Sequence, residues 1–374
     1  MPLLFGRARS AGPAAEPTAP LLSLTEFKPA IDQELSRIYA GWQERAGKVD
    51  PVFAELMDRL NAFSIRGGKR LRAYLMYLGY VGAGGTDVPS IIRTAASQEL
   101  YHIAWLIHDD IIDRDTVRYG GPNITGSYLA QFEAALGKTE GRRMAEAMAL
   151  LAGDVNISLG AAALLAGNFS AERVLAAARR QQEVMVQLAG GEQLDVLIPT
   201  FDLAEVPVER LLRICEFKAA RYTFEAPLQL GMMLAGATAA QVAAVAAFAV
   251  PVGIAFQVAD DLLGTFGNET ELGKSVLSDL REGKRTLLVL EAYATATQAD
   301  RVVLDTTLGN ARASYHHLAQ VRAIMEHTGA RGRVEAMAEQ HVGVALAQLP
   351  GLQLNQPVET ELTRLAHYVN HRRS

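Results

Sequence analysis

The stretch His108 to Gly121 reads HDDIIDRDTVRYGG. It places four aspartates, Asp109, Asp110, Asp113 and Asp115, in seven positions, directly after the apolar run Ile103-Ala104-Trp105-Leu106-Ile107. On a helix Asp109 and Asp113, four apart, share a face, and Asp110 lies three before Asp113. Carboxylates crowded at the inner end of an apolar helix repel one another and are costly to desolvate. A helix C-terminus opposes them further, because its dipole is negative there. A helix end emerging into water would explain an isolated acidic run. Hard cations explain this one better: carboxylate oxygens on one face suit Mg²⁺, which keeps several waters and shares its shell with substrate phosphates. A second cluster repeats the arrangement. FQVADDLLG, Phe256 to Gly264, closes another apolar segment with Asp260 and Asp261, and Gln257 lies four before Asp261. Two such clusters facing each other across a cavity could clamp a group of metal ions.

Metal-bridged carboxylates imply an anion, and the basic residues are distributed accordingly. RGGKRLR, Arg66 to Arg72, has four cations in seven positions, and Gly67 and Gly68 let a ligand approach the backbone. Lys69 and Arg72 are three apart and can point the same way. A solvated basic turn is the plain alternative. His102 lies two turns before Asp109 on the same face; taken alone it reads as a core histidine. In EFKAARYT, Glu216 to Thr223, Lys218 and Arg221 are expected to share a face. The Gly-rich segment Gly264 to Gly283 and the residues after it carry Lys274, Lys284 and Arg285. Its position directly after Asp260 and Asp261 predicts a mobile lid closing over phosphates.

The elements that must position these groups are helical. From residue 22 onward apolar residues recur at three and four, and no alternating strand pattern of useful length appears. The expectation is an all-α fold: a single domain, 22–374, of ten or more helices around a central apolar cavity, preceded by a flexible Ala/Pro/Gly-rich arm, 1–21. Segments around 90–108 and 240–263 are apolar on most faces and should be central. The chain has 374 residues, 49% hydrophobic, with a net charge of −5 and one cysteine, Cys215. Nothing in that charge suggests a nucleic-acid partner or an anionic membrane surface, and one cysteine excludes an internal disulfide. No transmembrane helix and no signal peptide are expected, and a cytoplasmic location follows from that reading.

In order along the chain, RGGKRLR, ELYHIAWLIHDDIID, AGDVN, GEQLD, FKAARYT, FQVADDLLGTFG and GKSVLSDLREGKRT resemble the ordered blocks of the trans-isoprenyl diphosphate synthases, the polyprenyl synthetase family. The form of the last two is most similar to bacterial short-chain enzymes, the geranylgeranyl diphosphate synthases of actinobacteria above all. The resemblance implies the isoprenoid synthase fold and a prenyltransferase of the EC 2.5.1 type. Such an enzyme condenses isopentenyl diphosphate with an allylic diphosphate to a C15–C20 product, C20 first, by ionisation, condensation and elimination. It further implies three Mg²⁺ ions, replaceable by Mn²⁺, on Asp109, Asp110, Asp113 and Asp260, with Asp261 and Gln257 supporting. Arg118, Lys218 and Lys274 are implied for the allylic diphosphate, with Lys284 closing over it. Lys69, Arg72 and His102 are implied for isopentenyl diphosphate, and a homodimer is implied.

Two positions depart from the family pattern. The usual arginine pair after the first motif is Arg118-Tyr119 here, and the third aspartate of the second motif is Gly264. Tyrosine can hydrogen-bond a phosphate but brings no charge. Product length should depend on bulk one turn above Asp109, at Ala104 and Trp105, with Trp105 as a floor. Three other classes compete. A class I terpene cyclase shares the acidic helix but has no use for RGGKRLR. A non-autonomous subunit of a prenyl synthase is suggested by Tyr119. A purely structural helical protein leaves both acidic clusters unexplained.

Overall fold

The computed structural model describes residues 21–267 and 275–370. Residues 1–20 of the expected arm, Lys274 and the end of the chain lie outside the described residues. The helices are α1 Leu24–Gly47, α2 Pro51–Arg66, α3 Leu71–Gly82, α4 Val88–Ile112, α5 Ile124–Leu136, α6 Lys138–Leu165, α7 Ala171–Leu197 and α8 Val208–Ile214. A π-helix, Cys215–Glu225, continues from α8. Then come α9 Ala226–Ala235, α10 Ala239–Phe266, α11 Ser278–Glu282, α12 Leu287–Thr295, α13 Gln298–Thr307, α14 Tyr315–His327, α15 Ala330–Gln348 and α16 Gln356–Asn370. The all-α expectation holds, with more than ten helices.

Local chemistry sets the two site-bearing helices. α4 starts at the N-cap Asp87, whose carboxylate accepts from the Ser90 amide, with Pro89 in the first turn. α10 starts with a capping box between Thr238 and Gln241. α4 is buried over most of its length, and α10 chiefly between Val245 and Ala259. α10 lies against the π-helix and α15, while α4 lies against α6 and α3. One continuous apolar core runs from Phe27 in α1 to Val369 in α16.

Among the described residues α6 and α10 are long and apolar enough to cross a membrane by length and composition alone. In α10 that apolarity serves the core: Val245, Phe248, Val252, Ala255 and Val258 are all buried. Two expectations need correction. A short antiparallel hairpin, β1 Val117–Arg118 with β2 Gly121–Pro122, follows the first acidic cluster. Its strands are too short to show a period. Its turn residues Tyr119 and Gly120 both have positive φ, 54° and 71°, as a tight two-residue hairpin turn requires. Finally, α10 stays helical through Gly264 to Phe266, where a Gly-rich loop was expected. The glycine marks a close approach and not a turn: a Cβ at Gly264 would come within 2.4 Å of Asp279 Oδ2.

Candidate active site

Lys218 organises the centre. Its ammonium lies 2.6 Å from Asp195 Oδ2, 3.0 Å from Glu192 Oε2 and 3.5 Å from Asp109 Oδ1. Burial disfavours its charge, but Asp195, Asp109 and Glu192 more than offset that and hold it protonated. Two close approaches bring its partners near. A Cβ at Gly191 would come within 2.6 Å of the Lys218 amide nitrogen, and one at Gly253 within 2.3 Å of Ala220 Cα. Glycine at these two points lets α7 and α10 close on the π-helix. The π-helix explains a further correction. Its i→i+5 register pairs Arg221 with Glu216, five before, and with Glu225. Arg221 therefore does not share the face of Lys218.

The first cluster is held by two further cations. The β1–β2 hairpin returns Arg118 onto α4, where Nε donates to Asp110 Oδ1 at 2.7 Å and Nη2 lies 3.5 Å from Asp109 Oδ2. Lys284 Nζ reaches Asp113 at 3.7 Å, Asp279 at 3.3 Å and Glu282 at 3.2 Å. The three aspartates respond differently. Burial raises Asp109, but Lys218, Lys284 and Arg118 together hold it below the usual carboxylate range. Burial pushes Asp110 up to about 6 despite Arg118, and its Oδ2 is buried without a hydrogen-bond partner. Burial and the neighbouring Asp109 and Glu282 push Asp113 up to about 7 despite Lys284.

The second cluster faces the first across a cavity of about 190 Å³. Asp109, Asp195, Lys218, Gln257, Asp260, Asp261, Asp279, Lys284 and Arg285 line it, with Leu211, Ile214 and Leu287 as its apolar wall. A wider cleft of about 530 Å³ opens beside it, lined by Asp113, Asp115, Asp195 and Glu282. Gln257 Nε2 donates to Asp261 Oδ1 at 2.9 Å. Burial pushes Asp261 up to about 7, and Asp279, Asp195 and Asp260 add to it despite the Gln257 hydrogen bond. Among the described residues no three His, Cys, Asp or Glu side chains form a ready-made metal site. Buried carboxylates with raised pKa and an unpaired oxygen do, however, fit divalent cations whose shells are completed by phosphate oxygens.

The RGGKRLR loop forms a separate basic corner. Arg72 Nη2 donates to Thr223 Oγ1 at 2.8 Å, and its guanidinium stacks 4.7 Å from the Tyr222 ring centre. Its Nε is buried without a partner. The His102 ring lies 6.3 Å from the same Tyr222 ring. Burial and the nearby Arg72, Arg118 and Arg70 hold His102 neutral. Lys69 Nζ donates to the Tyr368 hydroxyl at 2.9 Å, so α16 reaches back onto this corner. Arg70 is structural: it is 3% exposed and bound to Asp32 and the Ser64 carbonyl. Tyr119 covers the glycines, since a Cβ at Gly67 would come within 2.4 Å of its ring.

Trp105 and Ala104 separate in space. Ala104 is fully buried. Trp105 joins a small apolar cluster with Val184, Met185, Leu188, Tyr222 and Ala226, its Nε1 3.4 Å from Met185 Sδ. Of the named residues, Asp109, Lys218, Gln257, Asp260, Asp261 and Lys284 meet on one cavity. Asp110, Asp113 and Arg118 flank it, and Lys69, Arg72 and His102 form the second corner. Sequence reasoning missed Glu192, Asp195 and Asp279 as site residues. GEQLD and SDLREGKRT carried the signal, but only the packing of α7 and α11 shows where their carboxylates point.

A helical bundle in which two acidic helix segments face each other over buried cations suits chemistry on an anionic substrate with divalent cations. The polyprenyl synthetase family model matches residues 53–325. The (2E,6E)-farnesyl diphosphate synthase of Mycobacterium tuberculosis is 33% identical over 306 residues, 81% of this chain and 79% of that protein. The geranylgeranyl diphosphate synthase of Saccharolobus solfataricus is 29% identical over 82% of this chain and 87% of that protein. The geranylgeranyl pyrophosphate synthase of Corynebacterium glutamicum, solved with isoprenyl diphosphate and magnesium, superposes with a TM-score of 0.88. It is 28% identical and covers 94% of this chain and 100% of that one. The chain belongs to the polyprenyl synthetase family. It is a prenyl diphosphate synthase of the short-chain type, a transferase of prenyl groups.

Proposed function

We propose that the protein condenses isopentenyl diphosphate with an allylic diphosphate to give C15–C20 products, geranylgeranyl diphosphate first. The observation that carries this reading is the convergence of Asp109 from α4 with Asp260 and Asp261 from α10 on the cavity that holds Lys218. Relatives named farnesyl, geranylgeranyl and geranylfarnesyl diphosphate synthase support it.

Asp109, Asp110, Asp113 and Asp260, with Asp261 beside them, would hold Mg²⁺, three ions in this proposal, with Mn²⁺ as a substitute. Bound there, the ions would supply neutralisation of the charge that develops on the departing diphosphate. Lys218 and Arg118 are charged and held beside the cavity by carboxylates, and cations taking Asp109 and Asp110 would release their donors to the allylic diphosphate. Lys274 and Lys284 are assigned to the same group. Gln257 holds Asp261 in place through its amide. Lys69 and Arg72 bind the diphosphate of isopentenyl diphosphate, and neutral His102 hydrogen-bonds to it. Arg72 has a buried donor pointing into that corner, and the Tyr222 ring fixes the plane of its guanidinium. The allylic C–O bond breaks heterolytically, and its electron pair leaves with the diphosphate. The isopentenyl double bond attacks the allylic carbon, and the proton lost from the adduct passes to the released diphosphate. No protein nucleophile takes part. Leu211, Ile214 and Leu287 exclude water that would quench the cation. Trp105, against Met185 and Leu188, closes the path of the growing tail.

A homodimer is supported by exposed leucines on adjoining helices, Leu136 on α5 and Leu150, Leu151 and Leu165 on α6. We assign the activity to a single cytoplasmic domain spanning 22–374. The test is a product assay with Mg²⁺, isopentenyl diphosphate and, in turn, dimethylallyl, geranyl and farnesyl diphosphate, read by mass spectrometry. Elongated diphosphates that vanish with Asp109→Ala are expected. Cyclised hydrocarbons, or no elongation from any starter, would overturn the reading.

A further inference from the structure

A groove of about 290 Å³ lies between α1, the start of α4 and the end of α6. It is no part of the site described above. Arg93, on its wall, and Asp109 stand near opposite ends of α4, roughly 24 Å apart at about 1.5 Å per residue. Small residues keep it open. Tyr39 donates to Asn156 Oδ1 at 2.6 Å and pins α1 to α6 at one point. Past that point both helices present little bulk, with Gly41 on α1 and Ala162, Ala163 and Ala166 on α6. A Cβ at Gly41 would meet nothing within 4 Å. The exposed indole of Trp42 and the buried side chain of Leu159 add apolar surface to the lining.

The polar lining is cationic. Arg37, Arg45 and Arg93 line the groove with one acid, Glu34, and Arg37 already holds that acid through two hydrogen bonds. The Arg45 guanidinium lies 5.1 Å from the Trp42 ring centre, and Arg93 Nη2 donates to Ser90 Oγ at 3.1 Å. Among the described residues neither Arg45 nor Arg93 forms a salt bridge. Asp87 is near enough to feel Arg93, but its carboxylate accepts from the Ser90 amide. Exposed arginines elsewhere are paired, as Arg143 is with Glu140 and Arg364 with Glu361. Two guanidiniums with donors to spare suit phosphate oxygens, and the indole and alanine wall suit an apolar group. No carboxylate cluster calls for a divalent ion. We propose that this groove is a second ligand site, which binds a phosphate or diphosphate ester of an apolar alcohol without a divalent cation. Arg45 and Arg93 take the anion, and Trp42 and the alanines of α6 take the apolar group. The choice of an isoprenoid ester as its probe rests on the function proposed above.

The chain has two tryptophans, Trp42 and Trp105, so full-length Trp105→Phe protein reports on the groove through Trp42 alone. It is titrated with geranyl diphosphate in EDTA, and the melting temperature of every variant checks folding. A saturable change in Trp42 emission is expected. Arg93→Ala should weaken it at least about 10-fold, the loss of a charge-assisted contact, and Ala162→Leu, which fills the groove from the opposite wall, should abolish it. Geraniol and inorganic pyrophosphate, each carrying half of the ligand, should each bind at least about 10-fold more weakly than the ester. No saturable change, parental affinity in Arg93→Ala, or either half binding as tightly as the whole would overturn the inference. None of these results touches the proposed function, which the product assay decides separately through chain elongation with Mg²⁺.

Discussion

Lys218 Nζ stands 2.6 Å from Asp195 Oδ2 and 3.5 Å from Asp109 Oδ1, so one ammonium ties the carboxylates of α7 to the first acidic cluster on α4. Its removal leaves Asp109, Glu192 and Asp195 buried without their shared cation. Lys218→Ala should cut kcat by about 10²–10³ and cost roughly 2–3 kcal/mol of stability, below the roughly 3–5 kcal/mol of a fully buried broken pair, because about a quarter of the side chain is exposed. Asp195→Asn should cost less on both counts, since Lys218 keeps Glu192 at 3.0 Å. Steady-state kinetics and thermal unfolding check both. Equal effects from the two variants would contradict this division.

Asp113 and Asp261 link metal binding to pH. Both are pushed up to about 7, chiefly by burial, whereas an unfolded aspartate titrates near about 3.9. The folded protein thus holds protons that the unfolded chain releases. The stability they contribute is full below about pH 4 and is lost as pH rises through about 7. Mg²⁺ competes with the same protons, so its affinity should rise across that window. The increase in melting temperature caused by Mg²⁺ with pyrophosphate should be larger at pH 8 than at pH 6, and equal increases would count against it.

Arg72 depends on planarity as much as charge. It donates to Thr223 and stacks on Tyr222. Arg72→Ala should raise KM for isopentenyl diphosphate at least about 10-fold, the loss of one charge-assisted hydrogen bond. Arg72→Lys should recover little of it, because an ammonium has neither the fork nor the stack. KM for the allylic diphosphate should stay within about 2-fold, inside the roughly 0.5 kcal/mol that separates independent sites.

Trp105 is the residue to change for product length. It faces Met185 and Leu188, whereas Ala104 is enclosed in the core. Trp105→Ala should open the cluster and shift products to longer chains by mass spectrometry, with Trp105→Phe between it and the parent. Unchanged products from Trp105→Ala would place the floor elsewhere.

The chemistry-bearing pairs were legible because local rules expose them. Asp109 with Asp113, and Gln257 with Asp261, share helix faces at a spacing of four, and each cluster closes an apolar helix. Two local features stayed hidden for local reasons. The strands carrying Arg118 are two residues long, too short for a period. The π register that sends Arg221 to Glu216 leaves the apolar pattern of the helix almost unchanged.

The sequence by itself determined the helical architecture, the two aspartate clusters, the basic RGGKRLR corner and the family, since helix periodicity and fixed spacings act within a few residues. Only the tertiary structure decided which carboxylates serve Lys218, that Trp105 and not Ala104 meets the apolar cluster, and that the recess at Gly264 is filled by Asp279. Those outcomes depend on how closely α7, α10 and α11 approach one another. Backbone contact at Gly191 and Gly253, and the approach of the Asp279 carboxylate to Gly264, set that distance, and such contact is a property of two chain segments at once, which no spacing along one of them records.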